Sequence, residues 1–143
     1  MQRIKIQLPN RFSFSTKIKI RITDLNYGGH VGNDSFLSLI HEARQQYLKH
    51  YGFSELVFEN TSLIMADVGL EFKHELNYGD VVTIHVQAAD FDKLGFDIYY
   101  LLEIEHPEKN IVAGKAKTGM LCFDYTNKKK VVVPQIAIDK LSI

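Results

Sequence analysis

Apolar and polar side chains alternate along the first part of the chain, from Phe12 to Thr23. A period of two places alternate side chains on opposite faces of an extended backbone. This segment therefore predicts a long strand with one face in water. Its apolar positions are Phe12, Phe14, Ile18, Ile20 and Ile22.

The spacing becomes helical from Asp34 onward. The apolar positions then cover one broad face, which predicts a helix of about eighteen residues wrapped by other structure. Asn33 or Asp34 can cap its start, and Gly52 stands where a helix stop is expected. The residues of that face are Phe36, Leu37, Leu39, Ile40, Ala43, Tyr47, Leu48 and Tyr51.

The rest of the chain is mostly of strand type. Turn residues separate the extended segments, the run 128–130 predicts a solvated turn, and Gln135–Leu141 predicts a short terminal helix. One helix against about five antiparallel strands gives a single α+β domain of two layers over residues 1–143. Open sheet edges make a homo-oligomer, a dimer or tetramer, the expected assembly. The predicted strands are Leu63–Leu76, Val81–Ala89, Gly95–Glu105 and Ile111–Tyr125.

Charge and composition narrow the class of protein. Seventeen basic and seventeen acidic side chains cancel, so bulk charge does not favour nucleic acid or an anionic membrane as a partner. No apolar run approaches the ~20 residues of a membrane span, and residues 1–11 lack the apolar centre of a signal peptide. A cytoplasmic protein is the simplest expectation.

The single cysteine, Cys122, excludes an intramolecular disulfide. It lies in an apolar run, where a small buried side chain is favoured over a reactive thiol. The six histidines are scattered, and no second cysteine is present to build a zinc cluster. No metal and no cofactor is predicted.

Residues 24–33 break the strand pattern and contain three glycines and two asparagines. They predict a loop that runs into the N-terminus of the long helix, where free backbone N–H groups carry roughly +0.5 charge. Three interpretations compete. The loop can be purely structural, it can bind an anion, or it can hold a carbonyl that becomes an oxyanion during acyl transfer. The glycine spacing is neither a P-loop nor a dinucleotide fingerprint, which weakens the second.

The segment from Thr23 to Arg44 resembles the signature of hotdog-fold acyl-CoA thioesterases, in the 4-hydroxybenzoyl-CoA thioesterase branch. The resemblance continues more weakly through Gly79-Asp80, Phe123-Asp124 and Pro134, and covers nearly the whole chain. It implies a hotdog fold, in which a sheet wraps one long helix. It also implies an acyl-CoA or acyl-carrier-protein thioester as substrate and a site shared across a dimer. The matching residues are Asp24, Gly29, His30, Val31, Asn33, Phe36 and Glu42-Ala43-Arg44.

One position departs from the family signature. Asn26 stands where the family has a second aspartate, which acts as nucleophile or base, and an amide can do neither. Asp24 would share a face with Asn26 on an extended backbone, and His30 has a suitable ordinary pKa. Asp34 is favoured as a helix cap. Glu42 is expected to pair within the protein, with Arg44 or a strand residue.

The preferred hypothesis is thioester hydrolysis. The carbonyl oxygen would accept hydrogen bonds from backbone N–H groups between Gly32 and Asp34, with Asn33 between them. Asn26 would position a water that Asp24 or His30 deprotonates. An acyl-CoA-binding protein without hydrolase activity is the main alternative, because of Asn26. A dehydratase is disfavoured, since no proline lies near His30.

Overall fold

The long helix predicted after the glycine loop is present in the computed structural model, which describes residues 1–143. The chain forms two helices, six strands and a 3-10 turn, so the α+β prediction is confirmed. In chain order these are β1 (Phe14–Lys19), the 3-10 turn Ile22–Asp24, α1 (Asn33–His50), β2 (Ser62–Phe72), β3 (Val81–Ala89), β4 (Gly95–Ile104), β5 (Ile111–Asp124), β6 (Lys129–Lys130) and α2 (Gln135–Leu141).

The sheet is antiparallel throughout, in the order β1-β3-β4-β5-β2, with β6 beside β5. The strands β2 and β5 pair along almost their whole length, from Ser62 opposite Phe123 to Phe72 opposite Gly114. The edges of the sheet are therefore β1 and β2, and β2 is the longer of the two.

Helix α1 packs against the sheet through its apolar face. Ala43, Tyr47 and Leu48 are fully buried, and Tyr47 accepts a hydrogen bond at its hydroxyl from the Ala88 N–H (3.1 Å). Burial of such side chains supplies most of the free energy that holds a helix against a sheet. Leu37 is 37% exposed, so it was wrongly assigned to the buried face.

The C-terminal end of α1 agrees with the sequence-based prediction, and the N-terminal end does not. Gly52 adopts φ +85°, its N–H donates to Lys49, and the Phe53 N–H donates to Leu48, which is the Schellman arrangement expected of a glycine stop. At the start, the capping position is Gly32, and no side chain caps the helix. The predicted cap by Asn33 or Asp34 is wrong.

Other differences are confined to element ends. The first strand stops at Lys19, and the chain then turns through Ile22–Asp24, because the Asp24 carboxylate bonds back to the Arg21 N–H. The turn at 128–130 contributes a sixth strand of two residues. Neither helix is long and apolar enough to cross a membrane.

Cys122 lies on β5 and is fully buried, which confirms its interpretation as a core side chain. Burial raises the pKa of this thiol to about 11. It takes no part in the cleft described next.

Candidate active site

The glycine loop closes on itself before it enters the helix. Leu25 and Val31 form an isolated antiparallel bridge, the Asn26 N–H donates to the His30 carbonyl (2.9 Å), and the Gly29 N–H donates to the Asn26 carbonyl (3.1 Å). Gly29 has φ +83°, a conformation that glycine adopts at little cost. The loop is therefore ordered by its own backbone.

A further backbone hydrogen bond ties the loop to the segment that follows β2. The Val31 N–H donates to the Leu76 carbonyl (2.9 Å). The loop, the start of α1 and residues 72–76 consequently surround one cleft of about 450 Å³. Its lining residues are Asn26, His30, Val31, Gly32, Asn33, Phe36, Phe72, Lys73, His74, Glu75 and Leu76.

The start of α1 offers free hydrogen-bond donors to this cleft. The Gly32 and Asn33 N–H groups, both of residues that line the cleft, make no hydrogen bond, as expected for a helix terminus without a side-chain cap. The Asp34 N–H is occupied by the Asn33 Oδ1 (2.9 Å). Of the backbone donors predicted between Gly32 and Asp34, those of Gly32 and Asn33 are unbonded.

Gly32 allows the loop to approach the helix start closely. A Cβ at this position would lie 2.8 Å from the Asp34 Oδ1 and 3.1 Å from the Asn26 Nδ2, both shorter than ordinary contacts. The side chain of Asn26 can thus lie directly beside the first turn of α1. Its Oδ1 accepts from the Gly28 N–H (2.8 Å), while its Nδ2 makes no hydrogen bond. Asn26 presents a free donor on the cleft.

His30 and Glu75 form the ionisable pair of the cleft. The His30 Nε2 lies 3.7 Å from the Glu75 Oε1, and the His30 Nδ1 lies 3.4 Å from the Val31 carbonyl. The His30 side chain is 37% exposed and the Glu75 side chain 67%, so both reach solvent and any ligand in the cleft. Glu75 was missed in the sequence, where it lies at the end of a predicted strand.

Asp24 is placed elsewhere. It is buried and lines a separate groove between β1 and α1, so it does not share a face with Asn26 as predicted. Its carboxylate accepts hydrogen bonds from the Arg21 backbone N–H (2.8 Å) and guanidinium (3.2 Å). Burial acts to raise the pKa of this carboxyl, but the bonds and charge of Arg21 outweigh it and hold the pKa below its ordinary value.

The two charged residues of the helix signature have different partners from those expected. Glu42 accepts a hydrogen bond from the Gln46 side chain (3.0 Å) and does not pair with Arg44. The Arg44 Nε donates instead to the Glu55 Oε1 (2.6 Å), and its Nη1 donates to the Tyr100 hydroxyl (3.3 Å). Neither residue lines the cleft at the helix start.

Solved structures with the same fold include several acyl-CoA thioesterases. A 1,4-dihydroxy-2-naphthoyl-CoA thioesterase from Synechocystis is 19% identical, with 90% of this chain and 94% of that chain covered and a TM-score of 0.75. A 4-hydroxybenzoyl-CoA thioesterase, in which an aspartate is mutated to asparagine, was solved with 4-hydroxybenzoyl-CoA. It is 17% identical, with 90% and 98% covered and a TM-score of 0.80. A Staphylococcus aureus protein solved with CoA is 14% identical, with 96% and 86% covered and a TM-score of 0.80.

At these identities the likeness shows the fold, which is the predicted hotdog fold. None of the curated proteins matches this sequence. The model of the thioesterase-like superfamily matches residues 20–141, which include the glycine loop, α1 and all of β2 to β6. The chain belongs to the thioesterase-like superfamily.

Proposed function

We propose that this protein hydrolyses acyl thioesters of CoA or of an acyl-carrier protein in the cleft at the start of α1. The observation that carries the proposal is the convergence of three groups on one cleft. These are the unbonded N–H groups of the helix terminus, the free Asn26 Nδ2, and the His30–Glu75 pair. Thioester hydrolysis needs an oxyanion site and a base within reach of one carbonyl carbon.

The oxyanion site consists of backbone donors and one amide. The thioester oxygen accepts from the unbonded N–H groups of Gly32 and Asn33, and the Asn26 Nδ2 lies beside the same turn of the helix. In other hydrolases the loss of one such donor costs roughly 3 kcal/mol of transition-state stabilisation. Asn26 thus contributes as a donor, a role that the aspartate of the family signature could not fill while ionised.

The base is His30, supported by Glu75. A water beside the His30 ring gives its proton to a ring nitrogen as its oxygen attacks the thioester carbon. The C–S bond then breaks, and the leaving thiolate takes that proton back from the imidazolium. The negative charge of Glu75, 3.7 Å from the His30 Nε2, stabilises the imidazolium, as carboxylates do for histidine bases in other hydrolases. Asp24 is not needed, because Arg21 holds it in a different groove.

CoA esters are the proposed substrates because proteins of the same fold act on them. Two of the similar structures are named as thioesterases of aromatic acyl-CoAs, and a third was solved with CoA. The experiment is a screen of short, medium, long-chain and aromatic acyl-CoAs, with release of free CoA as the measurement. Turnover of at least one ester that falls to background in His30→Ala supports the proposal. No turnover of any ester overturns it.

An acyl-CoA-binding protein without hydrolysis is the second candidate, and Asn26 favours it. The mutant 4-hydroxybenzoyl-CoA thioesterase was solved in complex with its CoA ester, so an aspartate-to-asparagine change in that protein is compatible with bound thioester. Saturable binding of CoA esters, measured by calorimetry, together with no release of CoA would favour this candidate over the first.

We also propose that two copies pair through β2. Residues 65–68 of this edge strand are exposed along an 11-residue strand, and an unpaired strand edge presents free backbone donors and acceptors. Pairing of two β2 strands would join the two sheets and place the two helices on one side of them.

A further inference from the structure

A second cleft, of about 300 Å³, follows the first along the interface between α1 and β2. On the helix the lining advances from Asn33 and Phe36 in the first cleft to residues 37–44 in the second. On β2 it runs in the opposite direction, from Phe72 to residues 65–68. The two clefts therefore occupy neighbouring stretches along α1 and β2, and the first begins at the helix terminus where the thioester carbonyl is proposed to bind. The edge-to-face pair Phe36–Phe72, with ring centroids 5.2 Å apart, lines the end of the first cleft that is nearer the second.

The middle of this path is apolar. Leu37, Ile40, Met65 and Val68 line the second cleft. Met65 and Val68 belong to the stretch of β2 that is proposed to pair with a second copy, so in that dimer the cleft lies beside the subunit interface. Apolar side chains that face a cleft gain free energy when an apolar ligand covers them. An acyl chain that leaves the first cleft would contact these side chains.

The far end of the second cleft is polar and rigidly built. Arg44 is almost completely buried there and is held by Glu55 and by Tyr100, whose hydroxyl is also bonded to the Thr118 Oγ1 (2.8 Å). Burial acts to lower the pKa of Arg44, but Tyr100 and Glu55 outweigh it and raise that pKa, so the guanidinium is charged. Arg44 lies eleven positions after Asn33 in α1, which is roughly 16 Å along the helix axis at ~1.5 Å per residue.

This polar end retains one nitrogen and one oxygen that make no hydrogen bond. The Arg44 Nη2 makes no hydrogen bond, and it is not among the fully buried atoms without a partner, of which Gln45 Nε2 is the only one. The Glu55 Oε2 also makes no hydrogen bond, and the His41 Nε2 lies 3.8 Å from it. A hydroxyl can accept from the first and donate to the second.

We propose that the second cleft selects acyl groups that carry a hydroxyl at their far end, with Arg44 and Glu55 as the specificity-determining pair. A methyl group there would leave both polar atoms unpaired, which is the basis on which hydrogen-bonding sites reject apolar analogues. A carboxylate would bond to Arg44 but would place a second anion beside Glu55, whose charge Arg44 already balances. The inference rests on the proposed binding of acyl thioesters.

The test uses three CoA esters of one chain length, which differ only in the terminal group: dodecanoyl, 12-hydroxydodecanoyl and the half-ester of dodecanedioic acid. Calorimetry on the His30→Ala variant of the full chain measures binding without turnover, so the result does not depend on hydrolysis. We expect the hydroxy ester to bind about 10-fold more tightly than the dodecanoyl ester. Equal affinities would overturn the inference and leave the proposed function intact. Tighter binding of the dicarboxylate would overturn the choice of a hydroxyl.

Three variants test whether the preference comes from the polar end. Glu55→Gln keeps the side-chain size and an oxygen for Arg44 but removes the charged acceptor, so the preference for the hydroxy ester should fall several-fold. Arg44→Met should abolish it. Because Arg44 is buried and its loss can unfold the protein, Thr118→Val serves as the milder variant. It keeps the size of this cleft-lining side chain and removes the hydroxyl bonded to Tyr100, which holds Arg44. An unchanged preference in folded Glu55→Gln and Thr118→Val would overturn the assignment.

Discussion

The His30 Nε2 lies 3.7 Å from the Glu75 Oε1, although the two residues are 45 positions apart in the chain. The Val31–Leu76 backbone hydrogen bond, one residue further along each segment, holds the two backbones together. The pair lies beside the free donors of the α1 terminus in the same cleft. Asn26 occupies the position at which the family signature has a second aspartate. The cleft instead contains the carboxylate of Glu75, which comes from the segment after β2.

If His30 is the base and Glu75 supports it, the two act as a unit. We expect His30→Ala to lower kcat by about 100-fold or more, the usual contribution of a general base. Glu75→Gln should lower kcat less, and the double variant should be no worse than His30→Ala, because groups that act together are not additive. Steady-state rates of CoA release measure all three.

His106→Gln is the matched control, since His106 is exposed in the turn after β4 and makes no hydrogen bond or ion pair. Its kcat should equal that of the wild type. A double variant whose loss equals the product of the two single losses would show that His30 and Glu75 act independently.

Gly32 is expected to matter for the rate of hydrolysis and not for the backbone conformation. Its φ of −80° suits any residue, but a Cβ would crowd the Asp34 and Asn26 side chains at 2.8 and 3.1 Å. Gly32→Ala should therefore displace Asn26 and lower kcat about 10-fold or more, with a loss in stability of about 1 kcal/mol or less for the poorer cap. Rates and guanidinium unfolding curves separate the two effects.

Gly79→Ala is the control for Gly32→Ala, and it should affect stability and not kcat. Gly79 has φ +83° and nothing within 4 Å of its missing Cβ, so alanine there strains the backbone without touching the cleft. The expected result is a loss of about 1 kcal/mol in stability with an unchanged kcat. If Gly32→Ala behaves in the same way as Gly79→Ala, the close approach at Gly32 has no catalytic role.

The fold followed from the sequence because each element carries its own signal. Helix α1 has an apolar face that fixes its length to within a residue, and Gly52 marks its end. The terminal helix Gln135–Leu141 was predicted with its observed bounds. These signals are local, since they depend on spacing and on the backbone preferences of single residues.

The site followed only in part, because its chemistry depends on contacts that sequence spacing does not encode. Asp24 was expected beside Asn26 on an extended backbone, but its bond to the Arg21 N–H bends the chain into a 3-10 turn and turns the carboxylate away. Glu75 lies in a polar run just after β2, and the hydrogen bond from the Val31 N–H to the Leu76 carbonyl brings this run to His30. Nothing in its own segment distinguishes it from a solvent-facing residue.

Cys122 should be chemically silent in the folded protein. It is fully buried, and its pKa of about 11 leaves almost no thiolate at pH 8. We expect no reaction with Ellman's reagent in native buffer and one thiol per chain in guanidinium. Reaction of Cys122 with the reagent in native buffer would show that β5 opens locally. The prediction has a practical use, since thiol reagents then report only the CoA that is released.

The proposed β2 pairing is tested by mass in solution. Light scattering should give twice the mass of one chain for the wild type. Val68→Lys places a charge on the exposed part of the strand edge, which natural sheets use to prevent pairing, and should shift the mass toward that of a monomer. Ile22→Lys is the control, because Ile22 is 67% exposed outside β2 and should keep the dimer. A monomeric wild type, or a dimer in both variants, would contradict pairing through β2.

Asp24 is expected to stabilise the fold without taking part in catalysis. Its pKa lies below the ordinary value in the folded protein, so its ionised form contributes stability above pH ~4 that is lost as the pH falls through the folded pKa. Asp24→Asn should lower the free energy of unfolding by about 1–2 kcal/mol at pH 7, since it weakens the bonds from Arg21. The difference from wild type should shrink steadily below pH ~4.

Denaturant unfolding at pH 7 and at several values below 4 measures this, and CoA release measures the rate of the same variant. Glu108→Gln removes an exposed carboxylate that makes no ion pair, so it should match the wild type in both measurements. A stable Asp24→Asn protein with kcat reduced 100-fold would return Asp24 to the role of base and remove His30 from it. A destabilised protein with a normal rate would place Asp24 among the residues that fix the loop, which is the role its bonds to Arg21 support.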